Sequence, residues 1–152
     1  YSRAGSISMA ANCATFSGKG KVQETIMQLA VQTTDATATV ARTNTSAAAT
    51  SNQLTLPTNS AMVFTGTVVA NVTSGGDTHA WQFRGSIKRG SGNVALVGTP
   101  SIDDIAYDSG ASAWSFAISA DTTNQALAVT VTGQASTTIR WVVNIHATEV
   151  AF

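Results

Sequence analysis

The stretch AMVFTGTVVANV-TSGGD-THAWQFRGSIK, residues 61–88, decides the fold. Met62, Phe64, Gly66, Val68, Ala70 and Val72 take alternate positions, and His79, Trp81, Phe83, Gly85 and Ile87 do the same after a turn. Side chains repeating with period two line one face of a strand, so each run has an apolar face. The opposite face of the second run carries Ala80, Gln82, Arg84, Ser86 and Lys88. Thr73-Ser74-Gly75-Gly76-Asp77 between the runs is turn chemistry. Folding about Gly75-Gly76 predicts Phe64 opposite Ile87, Val68 opposite Phe83, Ala70 opposite Trp81 and Gly66 opposite Gly85. A glycine inside a strand often marks close approach of another group. The paired glycines therefore predict a gap on the core face, filled by a large side chain from a facing sheet.

Toward the C-terminus the pattern continues as a meander. Trp114, Phe116 and Ile118 alternate with small residues, a turn follows at Asp121-Thr122-Thr123-Asn124, and Leu127, Val129 and Val131 form the next apolar face. After Gly133-Gln134-Ala135-Ser136 come Ile139, Trp141, Val143, Ile145 and Ala147, against Arg140, Val142, Asn144, His146 and Thr148. The simplest registers place Phe116, Val129 and Trp141 in one row across three strands. Toward the N-terminus, Met27, Leu29 and Val31 predict a first strand within Val22–Gln32, while Thr33–Asn52, rich in Thr and Ala, fits a helix or an edge strand. Residues 1–20 show little period and read as an irregular N-terminal arm. The expected architecture is all-β: a single antiparallel β-sandwich domain, jelly-roll-like, over residues 21–152.

The 152 residues suit one domain with its own core. Only 11% of them are charged, with 8 Lys+Arg against 8 Asp+Glu. A balance of this kind lacks the basic footprint of a nucleic-acid partner. No apolar run is long enough to cross a membrane as a helix, and no signal peptide is visible. Cys13 is the single cysteine, so it makes no intrachain disulfide and reads as a small buried hydrophobe. The chain opens on Tyr1 rather than Met, which leads us to expect a fragment or a processed product preceded by further chain.

Catalytic signatures are missing from the sequence: it has no Gly-x-Ser-x-Gly elbow, no phosphate-cradling glycine loop and no His-Glu-x-x-His. His79 and His146 read as structural histidines. Asp103, Asp104 and Asp108 form the acidic cluster of the sequence. On a loop they could serve as Ca²⁺ ligands or as a glycosidase carboxyl pair, but a solvated loop is the simpler reading. Trp81, Trp114 and Trp141 fall on apolar faces and are expected in the core. Tyr107, beside Asp108 and Gly110, is the better aromatic for ligand contact. The candidate ligand-binding residues are thus Tyr107, Asp103, Asp104 and Asp108, with no catalytic residue, metal or cofactor. Arg84, Lys88 and Arg89 are expected on a solvated outer face.

Several strings, in order and spacing, resemble a module found near the ends of phage and prophage tail proteins. They are Gly66-Thr67-Val68-Val69-Ala70, Trp81-Gln82-Phe83-Arg84-Gly85-Ser86-Ile87, Val94-Ala95-Leu96-Val97-Gly98-Thr99-Pro100 and the closing Thr138-Ile139-Arg140-Trp141-Val142. The run from Trp114 through Gly133 resembles it too, and the similarity covers about residues 54–150. The resemblance implies the C-terminal domain of a tail fibre or tailspike, carried on the virion and extracellular. It implies a homo-oligomer, a trimer, joined to the rest of the fibre chain and attached to a bacterial surface glycan such as capsule or lipopolysaccharide. Two other functions stay open: a carbohydrate-active, polysaccharide-degrading tailspike domain, and a capsid or baseplate decoration protein.

Overall fold

The computed structural model describes residues 5–11 and 21–152, so Cys13 lies outside the described residues. The strands are β1 (Ser6–Ala11), β2 (Val22–Thr33), β3 (Thr39–Val40), β4 (Leu54–Thr55), β5 (Ser60–Val72) and β6 (Thr78–Arg89). They continue as β7 (Val94–Leu96), β8 (Ser101–Tyr107), β9 (Ser115–Asp121), β10 (Ala126–Thr132) and β11 (Ile139–Ala151), with a 3₁₀ turn at Ser109–Ala111. All pairings are antiparallel and form two sheets. The larger has seven strands in the order β1-β2-β11-β5-β6, with β7 and β8 sharing the outer edge of β6. The smaller has β10 in the middle, β9 on one side and the short β3 and β4 on the other. The protein is an all-β antiparallel sandwich.

The 13 residues of β11 pair along nearly their whole length with β2 and with β5. This central position explains the alternation of β11. Ile139, Trp141, Val143, Ile145 and Ala147 are buried between the sheets, and the other face looks outward. Phe64, Val68, Trp81, Phe83 and Ile87 join them from β5 and β6, and Phe116, Leu127, Val129 and Val131 close the core from the smaller sheet.

The β5–β6 register differs from the expected one by two residues. Phe64 stands opposite Gly85, and Gly66 opposite Phe83. The turn is centred earlier than Gly75-Gly76: the Gly75 amide donates to the Val72 carbonyl at 2.9 Å, and Gly75 adopts a φ of 72° that favours glycine. Each strand glycine therefore lies under a phenylalanine of its own sheet, not under a side chain from the facing sheet. A Cβ on Gly85 would sit 2.6 Å from the Phe64 ring, and one on Gly66 would collide with the Phe83 ring and the Asn144 carbonyl oxygen.

The expected three-strand row is also split. Phe116 pairs with Val131, Val129 with Ile118, and Trp141 belongs to the other sheet, because the chain crosses between sheets after β10. Trp141 meets the smaller sheet through its ring, 6.1 Å from that of Trp114, and its Nε1 donates to Thr33 Oγ1 at 2.9 Å.

Two segments with weak period take definite form. Within the expected arm, β1 pairs with β2 from Ser6↔Met27 to Ala11↔Val22, and its Ile7 and Met9 face outward. Apolar residues on the solvent side carry no burial pattern to read. Thr33–Asn52 is neither helix nor continuous edge strand. It holds β3 and then a loop organised by Asn52, which is fully buried. The Asn52 Oδ1 accepts from the Ala49 amide at 2.8 Å, and its Nδ2 donates to the Ala47 carbonyl and to Asn44 Oδ1, each at 2.9 Å.

The β9–β10 turn is built on Asp121, whose Oδ1 accepts from the amides of Thr123 at 3.0 Å and Asn124 at 2.9 Å. Partial burial pushes this carboxyl up, but the hydrogen bonds from the Asn124 side chain and the two amides outweigh it and leave it below its ordinary value of 3.8. A carboxyl depressed by folding stabilises the turn above the unfolded value, and the contribution is lost as pH falls through the lower folded value. The amide resonances of Thr123 and Asn124 should therefore titrate with a midpoint below 3.8 in an NMR pH series. A midpoint above that value contradicts the assignment.

Candidate functional site

The outer face of the larger sheet places polar side chains from four strands in register. One row runs Asn144 (β11), Thr67 (β5), Gln82 (β6) and Asp103 (β8). The next runs His146, Thr65 and Arg84 on β11, β5 and β6. Period two puts all of them on the face opposite the core. Together they line a groove of about 390 Å³ whose floor includes Gly66 and Phe83.

The hydrogen-bonding capacity of this groove is largely unspent. Among the described residues, the side chains of Thr65, Thr67, Gln82, Arg84, Asn144 and His146 have no protein partner, and Asp103 accepts only from Ser101 Oγ, at 3.1 Å. Hydroxyls, amides, an imidazole, a guanidinium and a carboxylate offer donors and acceptors to a ligand rich in hydroxyl groups. One cation faces one anion, so the groove has no strong charge preference.

The four residues singled out in the sequence do not form one site: Asp103 faces away from Asp104 and Tyr107, which meet beside His79. Asp103 and Asp104 belong to strand β8 rather than to a loop, and they point to opposite sides. Asp103 enters the groove. Asp104 Oδ1 meets His79 Nε2 at 2.9 Å. Asp108 follows the strand and accepts from the Thr78 amide at 2.9 Å. Among the described residues, no three His, Cys, Asp or Glu side chains are gathered to hold a metal ion.

A β-bulge explains the placement of Asp104 and Tyr107. The β6–β8 register shifts between Ala80 and Trp81, so Ile105 is the extra residue. Asp104 and Tyr107 would otherwise lie on opposite faces. The bulge brings both to the side of His79. The Tyr107 ring, 54% exposed, lies 4.7 Å from the His79 ring, which stacks at 3.6 Å on Trp81. His79 Nδ1 faces the Ala111 carbonyl at 3.0 Å. Both ring nitrogens thus face acceptors, and the imidazole ties β8 and the 3₁₀ turn to the core. Tyr107 is the exposed aromatic residue at this end of the sheet.

The groove residues missed in the sequence are Thr65, Thr67, Gln82 and Asn144. The alternation that buries Phe64, Val68 and Ile145 turns them outward, but they form no motif, since they come from three separate strands, β5, β6 and β11.

No protein-family model matches the chain, and no curated protein sequence matches it. Among solved structures, the chain is similar to a tailspike protein, gp49, of Acinetobacter baumannii bacteriophage Fri1, described as a capsular polysaccharide depolymerase. The similarity has a TM-score of 0.43 and 10% sequence identity, and covers 91% of this chain and 19% of that one. The chain therefore spans about a fifth of the tailspike's length. Among the described residues, no helix is long and apolar enough to cross a membrane.

Proposed function

We propose that this chain is a non-catalytic domain of a phage tail fibre or tailspike that attaches to a bacterial surface glycan through the outer groove of its larger sheet. The carrying observation is the row Asn144–Thr67–Gln82–Asp103, with the neighbouring Thr65, Arg84 and His146. These groups are held rigidly by strands and keep their hydrogen-bonding capacity for a ligand. A sheet fixes such groups more firmly than a loop does. Glycosidic cleavage commonly uses two carboxyls, and the groove is lined by one, Asp103. The tail-protein resemblance of residues 54–150 supplies the virion setting.

The same face supports a homo-oligomer, which we take as a trimer. Toward its Ser60 and Ala151 end it exposes Met9, Val63 and Val150, with Ile7 beside them, at 59, 54, 36 and 69%. Apolar side chains grouped in this way suit a subunit contact.

The test is binding of the purified protein to host capsule and lipopolysaccharide, with its mass in solution and the polysaccharide length followed in parallel. A trimer that binds intact polysaccharide is expected, and Gln82→Ala with Asn144→Ala should weaken binding by about tenfold at unchanged mass. Shortened polysaccharide favours the depolymerase function. Binding to virion parts without any host glycan favours a decoration protein. Either outcome overturns the attachment reading.

A further inference from the structure

A second cleft opens on the same face, one step along β11 from the groove. After β1 ends at Ser6↔Met27, the free edge of β2 is taken up by Arg42, which bridges Ala30 through hydrogen bonds of 2.8 and 3.3 Å. Across β2, Arg140 on β11 pairs with Gln32. Arg42 and Arg140 thus flank β2 from either side and line a cleft of about 340 Å³ with Ala30, Gln32, Thr43 and Val142.

Neither guanidinium is neutralised. Among the described residues, neither arginine has a carboxylate within salt-bridge distance. Each is instead held by one neutral hydrogen bond: Arg42 Nη1 donates to the Ser46 carbonyl at 2.6 Å, and Arg140 Nε to Gln32 Oε1 at 3.2 Å. Arg42 Nε is buried without an acceptor. The loop carrying Arg42 is fixed from beneath by Asn52, through Asn44 and Ala47. Asn44 Oδ1 is occupied by Asn52 and by the Ser46 amide, which leaves the Asn44 amide nitrogen as a donor.

We infer that this cleft binds the carboxylate of an acidic sugar, with Arg42 and Arg140 clamping the carboxylate and Ala30 and Val142 lying under the ring. Two planar guanidiniums match an anionic fork of oxygens, and the apolar floor matches the C–H face of a pyranose. Val142 and Asn144 are successive outward residues of β11, roughly 7 Å apart, so one glycan strand reaches from the cleft into the groove. The inference rests on the attachment reading and names its substrate class: a surface polysaccharide containing uronic or similar acidic residues.

The experiment compares three probes on the intact chain by calorimetry and amide-shift mapping: a glucuronate-containing oligosaccharide, its carboxyl-reduced counterpart, and a phosphate-bearing oligosaccharide of the same length. The glucuronate form should bind at least tenfold tighter than the other two, with shifts at Ala30 and Thr43. Arg42→Gln and Arg140→Gln should each remove about tenfold of that preference while leaving the reduced form unaffected. Gln82→Ala should weaken both forms alike. Equal affinity for the acidic and reduced forms, or a preference for phosphate, overturns the carboxylate site and leaves groove attachment standing. Absence of binding by every probe and by host polysaccharide overturns both.

Discussion

Gly66→Ala is expected to destabilise the protein by about 3 kcal/mol, against a change within about 0.5 kcal/mol for Gly90→Ala. The added methyl at Gly66 meets the Phe83 ring and the Asn144 carbonyl oxygen of β11, whereas at Gly90 nothing lies within 4 Å. The ring can turn aside, but the carbonyl belongs to the β5–β11 ladder and moves only at the cost of pairing. This difference separates the two strand glycines. At Gly85 the nearest obstacles are the tip of Phe64 at 2.6 Å and Pro100 Cβ at 3.2 Å, so Phe64→Leu should largely rescue Gly85→Ala. Phe83→Leu should not rescue Gly66→Ala. Urea unfolding at fixed protein concentration measures all of these. A Gly66→Ala protein as stable as the parent would show the β5–β6 and β5–β11 registers to be wrong.

Trp141→Ala should cost more, about 4–5 kcal/mol, a large part of the total stability of an ordinary domain. Trp141 is fully buried and joins the two sheets. Its ring stacks at 5.8 Å on Trp81 and lies 6.1 Å from Trp114, and Trp81 in turn meets Phe116 edge-on at 5.5 Å. Truncation leaves a cavity at this junction and deprives Thr33 Oγ1 of its donor. Trp141→Phe keeps much of the ring contact and should cost about half as much. Losses of under about 1.5 kcal/mol for Trp141→Ala would mean that the sheets are held together elsewhere.

The faces of the strands were legible in the sequence, and their registers were not. Period two states which side Phe64, Trp81 or Ile145 occupies. A slip of one residue would bury Thr65 and expose Phe64, so burial forbids it. A slip of two residues keeps every face and is invisible to the same argument, which is why the expected β5–β6 pairing differs by that step. Only the local geometry at Val72–Gly75 selects between the alternatives. Sheet membership was hidden for a similar reason: β10 and β11 both alternate cleanly, and nothing in Gly133–Thr138 announces a crossing between layers. The strand β8 reads as a loop because its residues are exposed on both sides and its acidic pair mimics a solvated turn. The groove and the arginine cleft are products of register. Asn144 and Thr67 become neighbours only once strands far apart in sequence are aligned, and Arg42 meets Ala30 through an isolated bridge.

The position of β11 has a consequence for biogenesis. Its neighbours β2 and β5 are made long before it and do not pair with each other, so during translation the larger sheet has an empty lane bordered by two unsatisfied strand edges. The ladder closes only when residues 139–151 leave the ribosome. Until then the nascent polypeptide presents the kind of open edge that recruits other strands. Slow, late closure by distant contacts is expected, and chaperone protection would matter most in that interval.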